Sequence, residues 1–195
     1  MKTLRSIALL ITTLISSLMA VAQDVIVTVS PAQDVLPPQV LLYLNDPGKY
    51  FNITLTNTSA SVQQVYLSLQ LEQTSPASGL AISTPPKRQP QKPFVIQPGA
   101  SYQLTTLEMK KLFDHIPASE ISCPPNLFTD YNNGSFGLLP EGVYQVHVTA
   151  YRWRETTIVT PEVVSNPTGG VGLFRICYKA QSPDFITPSL LGTAD

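Results

Sequence analysis

Two cysteines are the first side chains of this sequence that could carry chemistry. Cys123 and Cys177 are the only cysteines among the 195 residues. Outside the cytosol an even pair of cysteines is typical of a disulfide, and the alternative is two free thiols. One pair is a poor zinc signal, because structural zinc takes four ligands. The sequence therefore predicts Cys123 and Cys177 as a candidate disulfide and predicts no metal site.

Two histidines are the next candidates, for acid–base chemistry. His115 follows Asp114, but adjacent residues of a helix point in different directions, and a helix C-terminus accounts for His115 as a favourable cation. The chain contains no Gly-x-Ser-x-Gly elbow, no His-Glu-x-x-His motif and no phosphate-binding glycine loop. A pair of carboxylates for glycoside hydrolysis stays open among the 13 acidic residues. We predict that the protein is not an enzyme and that it takes no cofactor.

An aromatic and polar set forms the candidate binding patch. His147, Tyr151 and Trp153 alternate along one strand and so share one face, and Tyr131 lies in the long connection before that strand. Two interpretations stay open for this face. Either the long connection covers it, pinned there by the disulfide, or it stays exposed and binds a protein partner or a sugar.

The elements that position these residues are strands. Apolar and polar residues alternate over 25–29, 51–56, 65–71, 143–153 and 171–178, and turn residues separate these runs. The spacing Thr105-x-x-Glu108 predicts a capping box and a helix from Thr106 to about His115. The sequence predicts an all-β fold, a two-sheet antiparallel sandwich with a short helical insertion, residues 106–141, before the penultimate strand.

The N-terminus predicts export. Lys2 and Arg5 precede an apolar run, and Ala20-Val21-Ala22 has the small-x-small pattern of a cleavage site. We therefore predict a signal peptide at 1–22, a sandwich domain at 23–182 and a C-terminal tail at 183–195. The mature protein is expected to be exported to the periplasm, the outer surface or the medium, with no membrane span after cleavage.

Composition narrows the partner classes. Hydrophobic residues make up 43% of the chain and charged residues 13%, which excludes a disordered chain. The net charge is −1 and becomes more acidic when Lys2 and Arg5 are removed with the signal. Since nucleic-acid binders carry basic surfaces, the balance argues against a nucleic-acid partner.

A tyrosine after a turn indicates a particular kind of sandwich. The segment Leu139-Pro140-Glu141-Gly142-Val143-Tyr144 begins the strongest strand. A buried tyrosine at this place, with its hydroxyl bonded to the backbone a few residues upstream, is the tyrosine corner of immunoglobulin-like domains. The alternative is a core tyrosine without that bond.

Several segments, in order, resemble the TANFOR domain of exported Bacteroidetes proteins. They are Pro47-Gly48-Lys49-Tyr50-Phe51-Asn52-Ile53-Thr54-Leu55-Thr56-Asn57-Thr58, Ile96-Gln97-Pro98-Gly99, Leu112-Phe113-Asp114, Leu139-Pro140-Glu141-Gly142-Val143-Tyr144 and Ser165-Asn166-Pro167. Together they span roughly residues 25 to 180. The resemblance implies an immunoglobulin-like or fibronectin type III-like module, and it brings no catalytic residues.

These observations lead to a functional prediction. We expect a non-catalytic, exported surface or envelope interaction or adhesion module, whose partner is a protein or a surface glycan. One alternative is a carbohydrate-binding module that uses Tyr151, Trp153 and Tyr131. Another is a strand-exchanging assembly subunit or chaperone-like protein. The sequence predicts no particular oligomeric state.

Overall fold

The structure is a computed structural model, and it describes residues 23–39, 43, 46–124, 137–156, 159–166 and 168–178. The predicted signal peptide, residue Tyr131 and all of the predicted C-terminal tail lie outside these residues. In the described part of the chain, nine strands are present: β1 (Val25–Pro31), β2 (Val35–Leu36), β3 (Phe51–Asn57), β4 (Gln63–Ser75), β5 (Ala81–Ser83), β6 (Phe94–Ile96), β7 (Ser101–Gln103), β8 (Gly142–Arg152) and β9 (Gly170–Ile176).

Helical structure is short. The described residues include the one-turn helix α1 (Pro47–Tyr50), the helix α2 (Thr106–Asp114) and a 3₁₀ turn (Ala118–Glu120). Helix α2 lies where the capping-box spacing predicts it. The prediction of an all-β fold with a short helical insertion before β8 therefore agrees with the observed elements.

The strands form two sheets. The smaller sheet has the order β1-β3-β7, and the larger has the order β2-β9-β8-β4-β5, with β6 paired to β4. The longest pairing is antiparallel and joins β4 to β8, with a register shift between Gln73 and Ser75. The short strand β2 pairs in parallel with β9, whereas β1 pairs antiparallel with β3 in the other sheet.

Alternation of residue type creates the core. Every second residue of β1, β3, β8 and β9 is buried, so each strand gives one side to the interior and the other to solvent. The inward residues of both sheets join one hydrophobic cluster, which includes Val27, Leu55, Val148 and Phe174. Burial of each such side chain stabilises the fold by about 2 kcal/mol.

Glycines of β9 let the two sheets approach closely. A Cβ atom at Gly170 would lie 2.7 Å from Val29 Cγ2 and 2.8 Å from Val27 Cγ1. These distances are below any normal carbon–carbon contact. Strand β1 of the smaller sheet therefore packs directly on the backbone of β9.

Arg152 connects four parts of the chain at one end of the fold. Its guanidinium bonds Asp24 Oδ2 at 2.7 Å, Glu162 Oε1 at 2.9 Å and Gln63 Oε1 at 3.1 Å. Arg154 also pairs with Glu162, at 2.5 Å. Hydrogen bonds from the two arginines hold the pKa of Glu162 below its ordinary value. The cluster fixes the start of β1 and of β4 against the end of β8.

Candidate functional site

The proline-rich segment, residues 85–93, is held against the larger sheet by two aromatic side chains. Trp153 Nε1 donates to the carbonyl oxygen of Pro90 at 2.9 Å, and the Tyr66 hydroxyl donates to that of Pro86 at 2.6 Å. Prolines cannot donate backbone hydrogen bonds, so this segment cannot pair as a central strand. Its carbonyl groups accept bonds from the side chains of β4 and of the residue that follows β8.

Further contacts fix the same segment. Gln89 Nε2 donates to the carbonyl oxygen of Arg154 at 2.6 Å. Arg88 forms a two-pronged ion pair with Glu120, in which Arg88 Nε lies 2.5 Å from the carboxylate. The segment is thus attached to the end of β8 on one side and to the 3₁₀ turn after α2 on the other.

Helix α2 is positioned by its capping box and by α1. The Glu108 amide donates to Thr105 Oγ1 at 3.3 Å, and the Thr105 amide donates to Glu108 Oε2 at 2.9 Å. This reciprocal pair satisfies two amide groups at the helix start. A Cβ atom at Gly48 would lie 2.8 Å from the Thr106 Cα atom, so α1 packs closely against the first residue of α2.

The Glu108 carboxylate is already occupied at the start of the helix. It accepts hydrogen bonds from the hydroxyls of Tyr102 and Thr105. Partial burial alone would raise the pKa of Glu108, but these hydrogen bonds and the charge of Lys111 outweigh it and lower the pKa. Glu108 is therefore a stable anion with its own partners.

His115 bridges the end of α2 and the proline-rich segment. Its Nδ1 lies 3.2 Å from the carbonyl oxygen of Lys111, and its Nε2 lies 3.3 Å from that of Arg88. A backbone carbonyl can only accept a hydrogen bond, so both contacts use His115 as a donor when the ring is doubly protonated. The imidazole therefore contacts the two sides of a cleft.

The cleft between these two elements has a volume of about 770 Å³. This is within the usual range for small-molecule sites, about 300–1,000 Å³. Its lining combines residues of the proline-rich segment, α2, β4 and β6: Leu67, Gln89, Pro90, Gln91, Lys92, Pro93, Phe94, Glu108, Lys111, Asp114 and His115. Apolar rings and charged groups thus meet in one preformed concavity.

The predicted patch residues are divided between two places. His147 and Tyr151 line a shallow groove of about 170 Å³ on the outer face of the larger sheet, together with Ser68 and Thr149. Tyr151 stacks on Tyr66, with their ring centroids 5.4 Å apart. The groove is polar, and its hydroxyl groups come from β4, β5 and β8 and from Thr84, which follows β5.

Trp153 lies apart from that groove. It is half-buried, and among the described residues it bonds the proline-rich segment at Pro90. Tyr131, the fourth predicted patch residue, lies outside the described residues. The structure therefore brings together His147 and Tyr151 but separates Trp153 from them.

The disulfide prediction is corrected by the structure, in which Cys123 and Cys177 are both free. Ser122, next to Cys123, pairs with Ser83 of β5, at one edge of the larger sheet. Cys177 follows β9, which is three strands away in that sheet. Because Ser122 lies one spacing beyond β5, the gap is four spacings of about 4.8 Å, or about 19 Å, whereas bonded cysteines need Cα atoms within about 7 Å. Burial raises the pKa of the Cys123 thiol to about 11, which keeps it unreactive.

Tyr144 lies at the start of β8, with its ring fully buried. Its hydroxyl donates to the carbonyl oxygen of Pro140, four residues upstream, at 2.8 Å. Burial raises the pKa of Tyr144 to about 12, so the hydroxyl stays protonated and remains a donor.

The described residues contain no group of three or more His, Cys, Asp or Glu side chains arranged to hold a metal ion. Among the helices of the same residues, none is long and apolar enough to cross a bilayer.

The sequence does not predict the cleft. The capping-box spacing predicts α2, but no sequence pattern places this helix beside the proline-rich segment. The sequence features that could have indicated the cleft are the basic, proline-rich composition of residues 85–93 and the capped helix that follows later in the chain. The bond that holds the segment against the larger sheet, Trp153 to Pro90, links residues 63 positions apart and leaves no local trace in the sequence.

Comparison with known proteins adds little to this description. No protein-family model matches the chain, and no curated protein matches it. A solved structure of the Pseudomonas fluorescens alkylpurine DNA glycosylase AlkC, bound to DNA containing an abasic site analog, is similar with 15% sequence identity and a TM-score of 0.40. The match covers 80% of this chain and 31% of the glycosylase, so the chain spans less than a third of that protein's length.

This match corrects two predictions made from the sequence. The first is the exported surface or adhesion module, with its carbohydrate-binding and strand-exchanging alternatives. The second is a protein or glycan partner to the exclusion of nucleic acid. Both are withdrawn, because the similar structure is that of a DNA-bound glycosylase. Because the TM-score is only 0.40, we infer no DNA binding by this chain from the match.

Proposed function

We propose that this chain is an immunoglobulin-like domain that binds a small molecule in the cleft between α2 and the proline-rich segment and catalyses no reaction. The observation that carries the proposal is the cleft itself. It has the volume of a small-molecule site, an apolar lining from Phe94, Pro90 and Pro93, and charged groups at its walls.

Strand order supports the finer fold assignment. The order β1-β3-β7 corresponds to strands A, B and E of an immunoglobulin domain, and β9-β8-β4-β5 corresponds to G, F, C and C′ of the variable type. The bond from Tyr144 to Pro140 has the geometry of a tyrosine corner at the start of strand F. Membership of the TANFOR family and export through a signal peptide at 1–22 remain proposals that rest on the sequence segments quoted above.

Preorganisation of the cleft supports a binding role. The proline-rich segment is fixed by Trp153, Tyr66 and Gln89, and the helix by its capping box. A ligand entering such a cleft does not have to order its walls, which reduces the entropic cost of binding.

The positions of the two histidines support a role without catalysis. Both ring nitrogens of His115 face backbone carbonyl oxygens, and Nε2 of His147 faces the carbonyl oxygen of Thr168. A general base must reach the proton that it removes, and these contacts direct both rings at the protein's own backbone.

A ligand screen followed by NMR tests the proposal. Small charged and neutral molecules at millimolar concentration are added to ¹⁵N-labelled protein. Binders are expected to shift the amide signals of Gln91, Lys92, Phe94 and Lys111 and to remain chemically unchanged during incubation. Shifts confined to the groove at His147, or turnover of a binder, would contradict the proposal.

A blocking variant sharpens the screen. Gln91→Trp places a bulky side chain in the cleft lining and is expected to abolish the shifts caused by binders. Gln97→Trp, at an exposed turn that does not line the cleft, is the matched control and is expected to leave them unchanged.

A further inference from the structure

The cleft lining has two positive and two negative side chains, but they differ in whether they already have partners within the protein. Lys92 and Lys111 are its lysines, and Glu108 and Asp114 are its carboxylates. Glu108 and Lys111 are three residues apart on α2, a spacing that brings side chains together on a helix surface. The charge of Lys111 lowers the pKa of Glu108, and Tyr102 and Thr105 bond the same carboxylate. These two charges of the helix therefore compensate each other.

Lys92 and Asp114 are the other two charged groups of the cleft lining. Lys92 belongs to the proline-rich segment, and Asp114 is the last residue of α2. The two residues therefore belong to the two elements that form the opposite walls of the cleft. The ion pairs between described residues join Arg88, Arg152 and Arg154 to Asp24, Glu120 and Glu162, and include neither Lys92 nor Asp114. Both side chains are exposed, and a ligand can meet them without first breaking a bond to another of the described residues.

Apolar surface completes the lining of the cleft. Phe94, Pro93 and Pro90 line it next to Lys92, and Leu67 of β4 joins them. An ion of a single sign would meet one attractive and one repulsive charge here. A molecule with one charge of each sign and an apolar body can match the Lys92 ammonium group, the Asp114 carboxylate and the apolar lining at the same time.

We propose that the cleft binds a small zwitterion of the amino-acid type. Its carboxylate binds the Lys92 ammonium group, its ammonium group binds the Asp114 carboxylate, and its apolar side chain packs against Phe94 and the proline rings. This inference rests on the proposed function, which it narrows to one class of ligand.

Three related probes test the inference by titration calorimetry and NMR. Phenylalanine carries both charges, N-acetylphenylalanine only the negative charge, and phenylalanine amide only the positive charge. Phenylalanine is expected to bind at least about tenfold more tightly than either of the others, because each lost charge removes one charge-assisted hydrogen bond.

Charge-removing variants assign each interaction. In Lys92→Met, phenylalanine and phenylalanine amide are expected to bind equally, since the carboxylate has lost its partner. In Asp114→Asn, phenylalanine and N-acetylphenylalanine are expected to bind equally. Lys87→Met removes an exposed charge from the proline-rich segment outside the cleft lining, and it is expected to change none of these affinities.

Two results would overturn the zwitterion inference. One is N-acetylphenylalanine or phenylalanine amide binding as tightly as phenylalanine, with shifts in the cleft. The other is no cleft shift with any of the three probes. Neither result alone removes the proposed function, which fails when the broader screen finds no molecule that binds the cleft or when a binder is turned over.

Discussion

The interior between the two sheets and the cleft beside α2 are held together by different forces. The interior is made of inward hydrocarbon side chains such as Val27, Leu55 and Val148, which are almost completely buried. The cleft wall formed by the proline-rich segment is held by single hydrogen bonds from side chains to backbone carbonyls, such as Trp153 to Pro90. Each buried hydrocarbon contributes about 2 kcal/mol and each such hydrogen bond about 1 kcal/mol.

This difference means that the two regions can be perturbed separately. A change in the interior is expected to lower the free energy of unfolding of the whole domain. A change in the wall is expected to alter local opening and ligand affinity while the domain stays folded, because local openings cost less than global unfolding.

The largest expected effect is in the interior. Gly170→Val places carbon atoms within 3 Å of Val27 and Val29, so β1 must move away from β9. We expect a loss of about 3 kcal/mol in the free energy of unfolding, measured by urea denaturation. Leu173→Val, on the exposed face of the same strand, is the control and should cost less than about 0.5 kcal/mol. Equal stabilities of the two variants would show that β1 and β9 are not packed closely.

The next effect concerns the cluster at the end of the sheets. Arg152→Met removes bonds to Asp24, Gln63 and Glu162 and is expected to cost about 1.5 kcal/mol at pH 7. Arg154→Met removes one more exposed ion pair and should cost under about 0.5 kcal/mol.

The effect of Arg152→Met should depend on pH. The pKa of Glu162 is lower in the folded state than in the unfolded chain. The ionised carboxylate therefore contributes to the free energy of unfolding above the unfolded pKa of about 4.3, and this contribution is lost as the pH falls through the lower folded pKa. The stability gap between the wild type and Arg152→Met should therefore narrow when urea unfolding is repeated near pH 3. A gap of constant size would exclude the ionised carboxylate as its source.

A smaller effect is expected at the turn before β8. Tyr144→Phe removes the hydroxyl that bonds Pro140 and leaves the ring in place, so we expect a loss of about 1 kcal/mol in urea unfolding. Tyr178→Phe removes a comparable bond to Leu139 from a more exposed ring and should cost less. An unchanged midpoint for Tyr144→Phe would rule out a stabilising corner.

The smallest effect on stability is expected in the cleft wall. Trp153→Phe keeps a ring but removes the bond to Pro90, so global stability should fall by only about 0.5 kcal/mol. The Arg88 amide, which bonds the carbonyl of Pro85, should exchange its hydrogen about fivefold faster. Arg154→Met, already described, serves as the control with no wall bond removed. Unchanged exchange in Trp153→Phe would mean that other contacts hold the segment.

The sequence predicts the interior well because its signals are local. Alternation in β1, β3, β8 and β9 follows from the strand period of two, and the Thr105–Glu108 spacing is enough to start α2 at Thr106. The candidate site is different. His147 and Tyr151 share a groove as the alternation predicts, but Trp153 turns to Pro90 through a contact that depends on the path of the whole chain.

The disulfide prediction failed for the same reason. Two cysteines in one exported-looking chain indicate a bond, but strand order decides whether their Cα atoms can meet. That order places β5 and β9 three strands apart, and no local pattern around Cys123 or Cys177 encodes it.

The pairing of Ser122 with Ser83 has a consequence for how copies of this protein behave at high concentration. Two backbone hydrogen bonds of 2.9 Å join these residues, so the outward amide and carbonyl of Ser83 are satisfied within one molecule. Unpaired groups on the outermost strand of a sheet are a template on which other chains aggregate. Folding the insertion back over β5 protects this side of the domain against that form of self-association.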